Sequence, residues 1–70
     1  MGENFTISLE AARVNANMTQ DEAAKELGIS KATLLSWEKG NTFPDIVNFK
    51  ALCKIYSIPM GLISVPDKLD

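Results

Sequence analysis

The sequence contains no histidine and one cysteine, Cys53. An intrachain disulfide is therefore impossible, and a zinc site of the usual Cys/His kind is excluded. Cys53 has no histidine to activate it as a nucleophile. It falls among Phe49, Leu52 and Tyr56, where it reads as a small buried hydrophobe. There is no glycine-rich phosphate loop, so neither an enzyme nor a bound cofactor is expected. No apolar run approaches the ~20 residues needed to span a bilayer, and the N-terminus lacks the basic and apolar regions of a signal peptide. A cytoplasmic protein is expected. Positive charge is also scarce: seven Lys/Arg stand against nine Asp/Glu, for a formal net charge of −2. That balance runs against a nucleic-acid-binding surface, which usually carries a basic footprint. Distribution matters more than the sum, however, and Glu3, Glu10, Asp67 and Asp70 fall where they can stand clear of a ligand.

What is present is one small domain. A chain of 70 residues buries only ~60% of its unfolded surface, so its core must be compact. An apolar content of 46% without low-complexity runs places it among folded domains. The most informative stretch is TQDEAAKELGISKATLLSWEK, residues 19–39. Thr19 is a good N-cap, and Glu22 closes a capping box of the T-x-x-E kind. Ala23, Ala24 and Leu27 then share one helical face. Gly28 stands where the helix must stop and turn through a left-handed conformation. Ile29 drops back towards the core, and Ser30 caps a second helix in which Leu34 and Trp37 point the same way. The small residues at the crossing and the short glycine-containing turn make a helix-turn-helix. An αα-hairpin that merely fills a core is the bland alternative, and the polar outward positions weigh against it.

Around this unit the chain divides into a leader (1–6), a folded core (about 7–63) and a tail (64–70), with the leader and tail expected to be flexible. Ser8 caps a first helix to about Asn15, with Leu9, Ala12 and Val14 on its inner side. Asn17 is the left-handed residue in the following connection. Residues 40–44 form a loop with Gly40 as the C-terminal cap, and Pro44 suits the entrance to a fourth helix. That helix runs from about Asp45 to Tyr56, with Ile46, Phe49, Leu52, Cys53 and Tyr56 at helical spacing. Pro59 to Ile63 is expected to form a short fifth helix donating Leu62 and Ile63. No strand pattern stands out. Leu9, Ala24, Leu27, Leu34, Trp37, Phe49 and Leu52 should share one core.

Five helices with a helix-turn-helix in the second and third resemble the Cro/repressor-type, or Xre, family of DNA-binding proteins. The resemblance covers about residues 7–63. It is carried by RVNANMTQ at 13–20, AAKELGIS at 23–30, SWEKGN at 36–41 and PDIVNFKALCKIY at 44–56. It implies an all-α, compact, lambda-repressor-like fold that inserts its third helix (about 31–39) into the major groove. It further implies that Gln20 holds a phosphate. Lys31, Ala32, Thr33 and Ser36 would be the base-reading positions, flanked by Leu35 and Lys39. Backbone amides around Asn41, Thr42 and Phe43 would meet phosphate. Arg13 would pair with Glu38, clamping the first helix to the third. Hydrogen bonding to bases is open to Lys31, whereas Ala32 and Leu35 can only touch a thymine methyl.

The function implied is a sequence-specific transcriptional regulator, of a prophage or plasmid Cro/repressor type. It would bind double-stranded DNA, with a homodimer on an inverted-repeat operator. Ile58, Met60 and Val65 are the candidate dimer surface. The alternative is an antirepressor or other protein-binding module on the same scaffold, favoured by the acidic balance and by Leu35. An antitoxin with a toxin protein as its partner is a third reading.

Overall fold

Capping residues set the limits of the helices. The computed structural model describes residues 7–64. Ser8 Oγ accepts from the Ala11 N–H at 3.0 Å and opens α1, Leu9–Asn15. Thr19 Oγ1 accepts from the Glu22 N–H at 3.0 Å, and Glu22 Oε1 accepts from the Thr19 N–H at 2.8 Å. This closed capping box heads α2, Gln20–Leu27. Ser30 Oγ accepts from the Thr33 N–H at 3.0 Å to start α3, Lys31–Lys39. Asp45 Oδ1 does the same for the Asn48 N–H at 2.8 Å ahead of α4, Ile46–Ile55. Each cap satisfies an N–H that its helix leaves without a partner. α2 and α3 end on Gly28 and Gly40, at φ +74° and +80°. Asn17 takes the same left-handed region between α1 and α2, and Ser57 takes it after α4.

The core is one cluster. Leu9, Leu34 and Leu52 are fully buried, and Ala12, Ala23, Ala24, Trp37, Cys53, Tyr56 and Ile63 are buried with them. Leu27 and Phe49 are partly buried against that cluster, so all seven residues expected to share a core do so. Ala23 and Ala24 lack the bulk to hold α3 away, and their near-complete burial reflects the close packing of α2 on its neighbours.

Several expectations need correction. Val14 does not face inward: it is 58% exposed, and Arg13 takes the inner position beside Leu9 and Ala12. At 3.6 residues per turn, a residue five on from Leu9 lies on the far side of the helix, whatever its hydropathy. Ile46 is likewise 58% exposed, because it falls at the margin of the stripe that Leu52, Cys53 and Tyr56 define. The fifth helix is absent. Met60–Leu62 makes a single 3-10 turn with no side-chain cap, and Leu62 is exposed while Ile63 alone is buried. Gly61 at the centre of the turn disfavours helix propagation.

The chain instead extends after Leu62. β2, Ile63–Ser64, pairs in parallel with β1, Ile7–Ser8, in the register Ile7 to Ile63 and Ser8 to Ser64. With two residues per strand this is a clasp between the ends of the described region, and the all-α class stands with four α-helices among the described residues. The leader to residue 6 and the tail from residue 65, including Val65, Glu3, Asp67 and Asp70, lie outside the described residues.

Candidate nucleic-acid interface

α3 has two faces of different chemistry. Leu34 and Trp37 point into the core, at 0% and 6% exposure. One helical step of about 100° per residue then sends Ala32, Leu35, Ser36 and Lys39 to the other side. Lys31, Ala32 and Lys39 are exposed, while Thr33, Leu35 and Ser36 are half-buried. Leu35 does not belong to the core cluster or to the hydrophobics packed against it. α2, the Gly28 turn and α3 thus present one outward helical face, flanked by the head of α2 and the loop after Gly40.

The orientation of α3 is tied to α1 and α2 by a buried polar network. Arg13 Nε donates to Glu38 Oε2 at 2.8 Å, and Arg13 Nη2 reaches Glu38 Oε1 at 3.4 Å. The two side chains are only 9% and 4% exposed, which distinguishes this pair from the loosely held ion pairs of a surface. The hydrogen bond to Glu38 raises the guanidinium pKa above its ordinary value, against the opposing effect of burial. Arg13 Nη1 also donates to the Met18 carbonyl at 3.0 Å, while the Arg13 carbonyl accepts from the Met18 N–H at 3.2 Å. Gln20 Nε2 completes the network by donating to Glu38 Oε1 at 3.2 Å. A carboxylate can only accept, so it fixes which edge of the Gln20 amide it meets. α1, the first residue of α2 and the last turn of α3 therefore share one carboxylate.

Tyr56, at the C-terminal end of α4, lies beside this pair. Its hydroxyl is buried and has no hydrogen-bond partner among the described residues. Burial, reinforced by the Glu38 charge and opposed by Arg13, pushes its pKa up to about 12. Burial also pushes up the Cys53 thiol, consistent with a packing role for that side chain.

The remaining site residues are engaged to different degrees. Lys31 Nζ lies 3.7 Å from Asp21 Oδ1, with both side chains largely in solvent. Thr33 Oγ1 is 2.9 Å from Ser30 Oγ, and Ser36 Oγ is 2.7 Å from Thr42 Oγ1. The loop amides expected to face outward are used inside the chain instead. The Asn41 and Thr42 N–H groups point at the Ser36 carbonyl, at 3.0 and 3.4 Å, closing the end of α3. What Asn41 and Thr42 offer outward is their exposed side chains. Sequence reasoning missed Met18 and Tyr56. The first acts through a backbone carbonyl, which leaves no signature in residue type, and the second had read simply as core.

The helix-turn-helix family model matches residues 9–63. The chain belongs to this family, the Xre-type helix-turn-helix DNA-binding proteins that act as transcription regulators. Two curated relatives agree with that placement. The cryptic phage CTXphi transcriptional repressor RstR of Vibrio cholerae is 32% identical over 57 residues, covering 81% of this chain and 51% of the relative. The HTH-type transcriptional activator BcrR of Enterococcus faecalis is 30% identical over 54 residues, covering 77% of this chain and 26% of the relative. The chain thus spans about half of the first relative's length and about a quarter of the second's. No solved structure matches. Among the described residues no helix is long and apolar enough to cross a membrane.

Proposed function

We propose that this protein is a sequence-specific transcriptional regulator of the Cro/repressor type that inserts α3 into the major groove of its operator. The observation that carries the reading is the division of α3: Leu34 and Trp37 are buried, while Ala32 and Lys39 on the opposite face are exposed. In this reading Lys31 reaches a guanine edge or a phosphate, and Lys39 reaches a phosphate. Ala32, Thr33, Leu35 and Ser36 face the bases, and the Asn41 and Thr42 side chains face the backbone. Gln20 uses its second amide proton on a phosphate at the head of α2, where the helix dipole favours an anion. The Asp21–Lys31 contact is exposed and worth under about 1 kcal/mol, so a phosphate can displace it.

A prophage setting is supported by the similarity to a cryptic phage repressor. A module of this size buries little DNA surface, so a two-fold dimer on an inverted repeat belongs to the proposal. Met60 and Leu62 are its exposed apolar candidates, whereas Ile58 packs against the core. Selection of bound duplexes from random DNA, followed by fluorescence anisotropy, tests the reading. A half-site with two-fold repetition is the expected product. Absence of binding at low salt would leave the antirepressor reading, for which the acidic balance and Leu35 already speak, and affinity capture of a regulator or toxin partner would then be the decisive measurement.

A further inference from the structure

Recognition helices commonly read guanine through arginine or lysine and adenine through asparagine or glutamine, by paired bonds to one base edge. KATLLSWEK contains no Arg, Asn or Gln, which leaves Lys31 as the one side chain of α3 placed for such a bond. The chain's one arginine, Arg13, is buried on Glu38, and its one glutamine, Gln20, donates to the same carboxylate. The hydroxyls on α3 are partly committed as well. Thr33 is paired with Ser30, and Ser36 with Thr42. Each pair uses one of its two O–H protons internally. A hydroxyl that can donate or accept also discriminates weakly between base edges.

Hydrocarbon is what this face offers most plainly. Ala32 is exposed, and Leu35, half-buried, stands beside it outside the core cluster. The major groove carries one apolar group that marks sequence, the C5-methyl of thymine. We propose that α3 discriminates its operator chiefly through thymine methyl groups, with Ala32 and Leu35 as the contacting side chains. The base pairs beneath them are accordingly A·T. Lys39 supplies attraction to a phosphate and Lys31 to a guanine edge or a phosphate, and the rest of the choice of sequence falls to methyl contact. This rests on the DNA-binding reading above.

The test uses the whole chain and duplexes selected from random DNA. Each thymine of a selected half-site is replaced singly by deoxyuridine, which removes the methyl and leaves the hydrogen-bonding edge intact. Two or three positions should each lose affinity by roughly three- to fivefold, the effect of burying about one methyl group. In Leu35→Ala the penalty for uracil should shrink towards one at one or more of those positions. If that variant fails to fold, the uracil series on the natural chain decides alone. An operator bound specifically but indifferent to every uracil replacement would overturn the proposal while leaving the regulator reading intact. Failure of the natural chain to bind any selected duplex at low salt would overturn both.

Discussion

Arg13 and Tyr56 show how much the inner face of this small domain depends on single polar groups. Replacing Glu38 by glutamine keeps the shape of the side chain but leaves the guanidinium buried without its charge partner. Glu38→Gln should therefore cost ~3–5 kcal/mol, read as a lower urea midpoint, whereas an exposed pair would cost under ~1 kcal/mol. A loss in the smaller range would show that solvent reaches the pair. Tyr56 makes the opposite prediction. Its hydroxyl is buried without a partner among the described residues, so Tyr56→Phe removes a desolvated polar atom and should leave stability unchanged or raise it by up to ~1–3 kcal/mol. The phenol also predicts a pH dependence. Its folded pKa of about 12 lies above the ordinary 10.0, so the unfolded chain loses its proton first. This contribution to stability is intact below pH 10 and is lost as the pH rises from there through about 12. Alkaline melts of Tyr56→Phe should lack that part of the decline. Neither residue's role was readable from local pattern. Val14 is apolar and Arg13 charged, so hydropathy alone assigns them to the wrong faces, and only the resemblance to the family pointed to the Arg13–Glu38 pair.

The helices were legible in the sequence at most places where a cap lies within three or four residues of the N–H it serves. Ser8, Thr19 with Glu22, and Ser30 are such cases, as are the glycines that end α2 and α3. Asp45 is the exception: it read as the start of α4 and is its cap. The region after Tyr56 was not legible for the converse reason. Its conformation depends on Ile63 pairing with Ile7 at the other end of the folded chain, a contact that no short window contains. A three-residue turn with glycine at its centre has too few hydrogen bonds to set its own structure. Gly28 allows a clean test at this scale. A Cβ built there meets nothing within 4 Å, so the cost of substitution lies wholly in its φ of +74°. Gly28→Ala should destabilise by ~1–2 kcal/mol through the backbone alone. Thr19→Ala should cost ~1 kcal/mol by opening the capping box. Additive losses in the double variant would indicate that the two ends of α2 act independently, and a marked excess would mean that the helix frays as a unit.

For the whole molecule the governing quantity is the small number of cations that can meet DNA. The net charge is −2, Arg13 is buried, and the exposed described lysines are Lys25, Lys31, Lys39, Lys50 and Lys54. Of these, Lys31 and Lys39 belong to the proposed face, and Lys25, on α2, is the third cation of the helix-turn-helix. The acids Asp21 and Glu22 are exposed near that face, at the head of α2. Each neutralised phosphate contributes about −0.9 to the slope of log K against log salt, so the slope per subunit should be shallow, roughly −2 to −3. Lys39→Ala should weaken binding on specific and unrelated duplexes alike and flatten the slope by about 1. Changes at Ala32 or Leu35 should alter the preferred sequence and leave the slope where it was, because neither carries charge. A slope much steeper than this would require cations outside the α3 face, which would move the interface towards Lys50 and Lys54. A slope untouched by Lys39→Ala would remove that lysine from the interface. Counterion release is blind to sequence, so in the proposed reading discrimination between sites rests on base contacts at α3, from Lys31 and from the methyl contacts of Ala32 and Leu35.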